Sequence, residues 1–137
     1  MISVETFSSI DTPAILLDYE QLVDNIRTIQ KTADDNGAVV RPHIKTHKSL
    51  EVARIQLEAG ARGLTVATLR EAEVMATLTN DLLLAYPPVG DAKLERLVRL
   101  PMSLDLKVAL DSSDVLVREV HEPQVVLRVR TDPVEVV

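Results

Sequence analysis

The sequence contains no cysteine and no tryptophan, and only 2% of its 137 residues are aromatic. Without cysteine the chain can form neither a disulfide framework nor a thiolate metal site. A hydrophobic core must therefore rest on Leu, Val, Ile and Ala, which supply most of the 46% hydrophobic fraction. The scarcity of aromatic rings also leaves little that could stack on the bases of a nucleic acid.

Long apolar runs and an excess of positive charge are also missing. No apolar run approaches the roughly 20 residues that cross a bilayer, and residues 1–10 lack the basic start and apolar run of a signal peptide. The net charge of −6 argues against a general affinity for nucleic acid. These absences predict a cytoplasmic protein that binds neither membranes nor nucleic acid.

Short β-type runs alternate with longer helical patterns along the whole chain. The runs that indicate strands are residues 13–17, 38–45, 63–68, 81–86, 104–110 and 124–130. The helical patterns are residues 19–35, 49–60, 69–78, 91–100 and 113–120. This alternation predicts a parallel sheet of βαβ units in one α/β domain. The five strands after the first helix fit either a small open sheet or the front part of a (β/α)8 barrel, whose complete form takes about 250 residues.

The segment Arg41–Ser49, Arg-Pro-His-Ile-Lys-Thr-His-Lys-Ser, carries five potentially cationic side chains in an acidic protein; we call it the basic segment. Alternation along a strand puts Arg41, His43 and Lys45 on one face, which we expect to point away from the helices. The segment lies where a strand ends before a helix, the place where α/β enzymes bind ligands. Burial among other cations favours a neutral lysine, and a neutral amine attacks aldehydes.

Several other interpretations fit the same residues. Exposed lysines are common, so the basic segment could be a solvated edge, and Pro42 is unusual in a central strand. His43 and His47 have the spacing of a helical zinc site, but the local pattern is extended, other cations are adjacent, and a zinc site needs three or four protein ligands. One short basic patch is also a weak signal for nucleic-acid binding.

Residues 41–48 resemble the cofactor-lysine signature of the D-threonine aldolase and eukaryotic-type D-serine dehydratase group. This group belongs to the alanine racemase-like enzymes that depend on pyridoxal phosphate. Three further blocks resemble the family in the same order along the chain: Asp11-Thr12-Pro13-Ala14, Gly63–Thr68 leading into Glu71-Ala72-Glu73, and Leu82–Gly90. The chain lacks the Lys-Ala-Asn-Ala-Tyr-Gly type of motif of alanine racemases proper, which favours the aldolase and dehydratase branch.

The resemblance implies a partial (β/α)8 barrel of the TIM type that binds pyridoxal phosphate. It implies that Lys45 is the catalytic lysine, joined to the cofactor as a Schiff base, and that Arg41, His43 and His47 line the cofactor pocket. The expected activity is that of a lyase, an aldolase or dehydratase, on small D-β-hydroxy-amino acids. A divalent metal assists this reaction in the family.

Parts of the family pattern have no counterpart in residues 1–137. The remainder of the barrel, a late Gly- and Ser-rich phosphate cradle and a C-terminal β domain with the metal ligands cannot be mapped onto the chain. We therefore expect residues 1–137 to be the N-terminal portion of such a barrel, without metal ligands. We expect it to form a homo-oligomer or to complement a missing C-terminal half. The alternative is a non-catalytic remnant, or one half of a split protein that binds a partner.

Overall fold

The computed structural model describes residues 10–109 and the backbone of residues 135–136. Helices and strands alternate from residue 19 to residue 108. The helices are α1 (Tyr19–Asp35), α2 (Leu50–Glu58), α3 (Leu69–Met75) and α4 (Asp91–Val98). The strands are β1 (Val39–Val40), β2 (Leu64–Val66), β3 (Asp81–Leu84), β4 (Asp105–Val108) and β5 (Glu135–Val136). The helix predicted at 113–120 and the strand predicted at 124–130 lie outside the described residues.

Three of the helices begin at a side chain that caps the first turn. Asp18, Ser49 and Thr68 each accept a backbone N–H of the helix that follows them, which satisfies a donor that has no partner within the helix. Gly37, with a φ of 65°, follows the end of α1, where a left-handed conformation is easiest for glycine. The predicted bounds of the first helix are confirmed at both ends.

The strands pair in parallel, as predicted. β2, β3 and β4 form a three-stranded parallel sheet, and β1 pairs in parallel with β5. A bridge between His43 and Thr65 joins the two groups of strands. The backbone bonds from Arg62 N to Val40 O and from Thr65 N to Pro42 O reinforce this junction. The spatial order is therefore β5-β1-β2-β3-β4.

The hydrophobic core lies between one face of the sheet and the helices. Because side chains alternate along a strand, Leu82 and Leu84 of β3 are buried in this core whereas Asp81 and Leu83 face the other side. The buried residues of this core are Ile44, Ala53, Leu64, Val66, Leu69, Ala72, Met75, Leu82, Leu84 and Leu97. Burying each large aliphatic side chain contributes about 1.5–3 kcal/mol, so aliphatic packing can replace the missing aromatics.

The structure corrects two strand predictions. Residues 13–17 form no strand, and Ile15 among them is 99% exposed; the outer edge of β1 is already paired with β5, a strand that the sequence did not predict. The strand predicted over 38–45 ends at Val40 and retains only the bridge at His43, and residues 44–47 form a turn. The turn follows from backbone groups that bond within the segment, as described below.

Among residues 10–109 and 135–136, the outer edges of β4 and β5 pair with no further strand, so these residues do not close a barrel. None of the described helices is long and apolar enough to cross a membrane.

Candidate active site

The turn at residues 44–47 holds Lys45 at the carboxyl ends of the strands. Ile44, before it, is fully buried in the core, and its carbonyl accepts the N–H of Lys48 at 2.8 Å. Lys48 adopts a left-handed backbone with a φ of 49°. The Lys45 side chain between these two residues is exposed. The burial that would favour a neutral Lys45 is therefore not seen, because the chain leaves the strand before reaching this residue.

Both histidines of the basic segment shape its backbone. His43 Nδ1 accepts the N–H of Lys45 at 3.3 Å, and His47 Nδ1 accepts the N–H of Ser49 at 3.1 Å. Each ring thus accepts from the residue two positions later, which places the hydrogen of the neutral ring on Nε2. His47 Nε2 is buried near Gln56 Oε1, but the two atoms do not meet the geometry of an ordinary hydrogen bond.

The surroundings favour the neutral form of both rings. Burial and then the charge of Lys45 lower the pKa of His43, and the charge of Glu71 opposes this shift only in part. Burial also lowers the pKa of His47, against the opposing influence of Gln56. No group of three or more possible metal ligands occurs among the described residues. The Nδ1 atoms of both histidines accept backbone N–H groups of the basic segment.

Glu71 is a member of this site that the sequence interpretation missed. Its side chain is 8% exposed, accepts the N–H of Ala67 at 2.7 Å and lies 3.2 Å from the Nζ of Lys48. Burial raises the pKa of Glu71, but the hydrogen bonds from Ala67 and Lys48 and the charge of Lys48 bring it below its ordinary value. The signal was available in the sequence, since Thr68 and Glu71 have the spacing of a capping box.

Arg41 lies at the opposite end of the sheet. Its guanidinium is fully buried, with Nη1 2.8 Å from Oδ1 of Asp81 and Nη2 3.0 Å from Oδ2. A Cβ at Gly63 would lie 2.5 Å from Nη1 of Arg41. The Arg41 side chain therefore passes directly over Gly63, the residue before β2. Lys107 reaches Asp81 at 2.6 Å. These contacts place Arg41, Asp81 and Lys107 on the sheet face away from the core.

The charges of Arg41, Asp81 and Lys107 stabilise one another at this end of the sheet. Burial by itself would raise the pKa of Asp81. The hydrogen bonds from Arg41 and Lys107 lower this pKa by more than burial raises it, so the carboxylate form prevails. The predicted common face therefore applies to Arg41 and His43, whose positions differ by two along an extended backbone. It does not extend to Lys45, because the turn begins at Ile44. The structure brings Lys45 together with His43, Lys48 and Glu71, and places Arg41 with Asp81.

Comparisons with known proteins match most of the chain. The sequence pattern of the alanine racemase N-terminal domain family matches residues 17–131. The D-threo-3-hydroxyaspartate dehydratase of Delftia sp. (strain HT23) is 39% identical over 109 residues, which is 79% of this chain and 29% of that protein. The D-threonine aldolase of Arthrobacter sp. is 34% identical over 80% of this chain and 29% of its own length. The D-serine dehydratase of Dictyostelium discoideum is 30% identical over 82% and 30%.

Solved structures agree with these matches. The crystal structure of D-threonine aldolase from Filomicrobium marinum superposes with a TM-score of 0.78 at 31% identity, over 82% of this chain and 30% of that one. A mutant of D-threo-3-hydroxyaspartate dehydratase in the metal-free form superposes with a TM-score of 0.74 at 37% identity, over 83% and 31%. The chain spans less than a third of the length of these relatives.

Proposed function

Because the chain belongs to the alanine racemase N-terminal domain family, whose relatives here depend on pyridoxal phosphate, we propose that it is part of a lyase acting on small D-β-hydroxy-amino acids. One observation carries the proposal. Of the three long cations in the basic segment, Arg41 is bound to Asp81 and Lys48 to Glu71, whereas the exposed Lys45 makes no ion pair with any residue from 10 to 109. An amine without a fixed partner can react with an aldehyde.

The residues around Lys45 fit an aldehyde cofactor. Lys45 would hold pyridoxal phosphate covalently through its amine. When bound, the cofactor supplies an electron sink that stabilises negative charge on the substrate. His43 accepts the backbone N–H of Lys45 and thereby orients the residue, and its neutral ring adds no positive charge beside the amine. Glu71 compensates the charge of Lys48 next to it.

The proposal extends to the architecture. Residues 1–137 would form the N-terminal portion of a pyridoxal phosphate-binding (β/α)8 barrel, with β1, β2, β3 and β4 side by side in chain order as its first part. Support comes from the parallel pairing of β2, β3 and β4 and the bridge from His43 to Thr65, and from the matches that cover less than a third of each relative. The pairing of β5 with the outer edge of β1 is not part of this support, because successive barrel strands are neighbours. The role of His47 as a pocket residue belongs to the same proposal. Arg41 is left out of it, because its guanidinium is bound to Asp81 at the other end of the sheet. A cytoplasmic location stays a prediction.

The outer edge of β4 supports a proposal about partners. Within residues 10–109 and 135–136 this edge pairs with no strand, and a strand edge that stays uncovered favours association. We expect a second copy of the chain, or a polypeptide that supplies the rest of the barrel, to cover it. Sedimentation at several concentrations would measure this, and a stable monomer at every concentration would contradict it.

Chemical labelling tests the proposed function directly. The chain is titrated with pyridoxal phosphate, reduced with borohydride and mapped as peptides. We expect label concentrated on Lys45 and lost in Lys45→Ala, with weak binding because residues 1–137 hold no recognisable phosphate cradle. Lys31 serves as the internal control, since it is exposed and paired with Asp35. Label spread evenly over the other lysines would contradict the proposal and favour a non-catalytic, partner-binding remnant.

A further inference from the structure

The carboxylate of Glu71 connects two loops at the carboxyl end of the sheet. Oε2 accepts the N–H of Ala67, in the connection between β2 and α3. Oε1 lies 3.2 Å from Nζ of Lys48, in the connection between β1 and α2. The Glu71 side chain is 8% exposed although the Lys48 side chain is 64% exposed. A buried acid in the first turn of α3 thus links the β2–α3 connection to Lys48 in the β1–α2 connection.

The residue that Glu71 binds has an unfavourable backbone. Lys48 has a φ of 49°, a left-handed conformation that is unfavourable for a residue with a Cβ. An interaction must therefore hold Lys48 in place. Its N–H bond to the carbonyl of Ile44 closes the turn, and the ion pair with Glu71 fixes the far end of its side chain.

The turn is consequently fixed on both sides of Lys45. Ile44 precedes it and is completely buried in the core. Lys48 follows it and is attached to Glu71, whose own position is set by the Thr68 cap at the start of α3. The exposed Lys45 lies between these two anchors, so its backbone is held although its side chain has no ion-pair partner among residues 10–109.

We propose that Glu71 is a positioning residue for Lys45, which holds the turn through Lys48 and keeps the neighbouring cation paired so that the Lys45 amine is the one presented for reaction. This inference rests on the proposed function. It differs from a simple capping role, because capping uses the Oε2 bond to the backbone of Ala67 alone, whereas positioning also needs the Oε1 contact with Lys48.

Two variants separate positioning from capping. Glu71→Gln keeps an oxygen for the N–H of Ala67 and removes the charge that Lys48 needs. Lys48→Gly leaves Glu71 and its capping bond intact, tolerates the left-handed backbone and removes the ion pair. Lys48 is exposed, so this second variant should fold even if the first does not. Glu73→Gln is the matched control, since Glu73 lies on the same helix and binds Arg96 at 2.8 Å, away from the turn.

Two measurements are made on the full chain. The first is the share of borohydride-fixed pyridoxal phosphate on Lys45, which we expect to fall about threefold to tenfold in Glu71→Gln and in Lys48→Gly, towards the lower end of the coupling measured between contacting residues. In Glu71→Gln, label should appear on the released Lys48. The second is hydrogen exchange at the backbone N–H of Lys45 and Lys48, which should accelerate in both variants. Glu73→Gln should change neither.

The outcomes distinguish this inference from the function on which it rests. If the unaltered chain is labelled at Lys45 and both variants are labelled equally well there, the positioning role is wrong and the proposed function stands. If the unaltered chain shows no preference for Lys45, the proposed function fails. The exchange rates still decide the role of Glu71 in that case, because unchanged protection in Lys48→Gly would overturn it and faster exchange would support a held turn.

Discussion

At the amino ends of β2, β3 and β4, the Arg41 guanidinium is fully buried against Asp81, which also binds Lys107 at 2.6 Å. At the carboxyl end, the Lys45 ammonium is exposed and lies in no ion pair within residues 10–109. Arg41 and Lys45 are four residues apart in one basic segment. Their surroundings differ because the extended backbone carries Arg41 across the sheet, while the turn after His43 carries Lys45 out of it.

This difference indicates that the cations of the basic segment have two different roles. Removing one partner of a buried ion pair leaves an uncompensated buried charge. The loss of stability is therefore much larger than when an exposed ion pair is broken. Charges at the amino end should therefore determine stability, and charges at the carboxyl end should determine reactivity. Four substitutions or conditions test this division, in order of decreasing effect.

Removal of the Arg41 charge should have the largest effect. Arg41→Met keeps much of the side-chain volume but leaves Asp81 largely buried without its main partner. We expect a loss of about 3–5 kcal/mol in the free energy of unfolding, the usual cost of breaking a buried ion pair. Urea unfolding measures it. Arg54→Met is the control, because Arg54 and Glu51 form an exposed pair; equal losses in both variants would erase the distinction between the two ends.

Crowding at Gly63 should have the next largest effect. A Cβ there would lie 2.5 Å from Nη1 of Arg41 and against the backbone oxygen of Asp81. Gly63→Ala should therefore cost about 1–3 kcal/mol, the usual cost of overpacking, measured by the same unfolding experiment. In the Arg41→Met background the cost should be smaller, since one of the crowded atoms is gone. Full additivity of the two losses would show that Gly63 does not support the Arg41 side chain.

Acidification should remove the contribution of His47 before that of the buried carboxylates. The pKa of His47 in the folded protein lies below its ordinary value of 6.5, so its contribution is complete above pH 6.5 and is lost as the pH falls towards the folded value. The pKa of Asp81 lies below its ordinary value of 3.8, so its contribution is lost only below that pH. The free energy of unfolding should thus decline in two stages. Glu71 lies at the same end as His47, but its pKa is below its ordinary carboxyl value, so its contribution is lost in the lower stage together with that of Asp81. His47→Gln should remove part of the upper stage, and an unchanged upper stage would refute its assignment.

Loss of the Lys45 side chain should have the smallest effect on stability. Lys45→Gln removes an exposed amine without a partner in residues 10–109, so the free energy of unfolding should change by no more than about 0.5 kcal/mol. The same substitution should abolish cofactor labelling at this position. A large loss of stability would mean that Lys45 serves the fold, and the contrast with Arg41 would then disappear.

Local signals in the sequence predicted the local structure. The Asp18 cap and Gly37 located both ends of α1, and apolar runs located β2, β3 and β4. The end of β1 could not be read in this way, because it depends on where two acceptors, the His43 ring and the Ile44 carbonyl, meet backbone N–H groups. Such contacts compete with strand pairing, and no periodic pattern of residues in the sequence reveals them.

The candidate site was predictable only in part, for a related reason. The basic segment and its resemblance to the family singled out Lys45, but all its cations look alike in sequence. Their roles depend on acids far along the chain, since Asp81 pairs with Arg41 and Glu71 with Lys48. These partners come from other strands and helices, so the cation without an ion pair among residues 10–109 could be identified only once the fold was known.

The pairing of β1 with β5 has a consequence for the order of folding. Val39 and Glu135 are partners in the sheet although they lie about a hundred residues apart, and contacts of such long range slow folding because the intervening loop must close first. During synthesis β1 leaves the ribosome well before β5. The outer edge of the strand that leads into the basic segment can therefore pair with β5 only after residues 135–136 have been made.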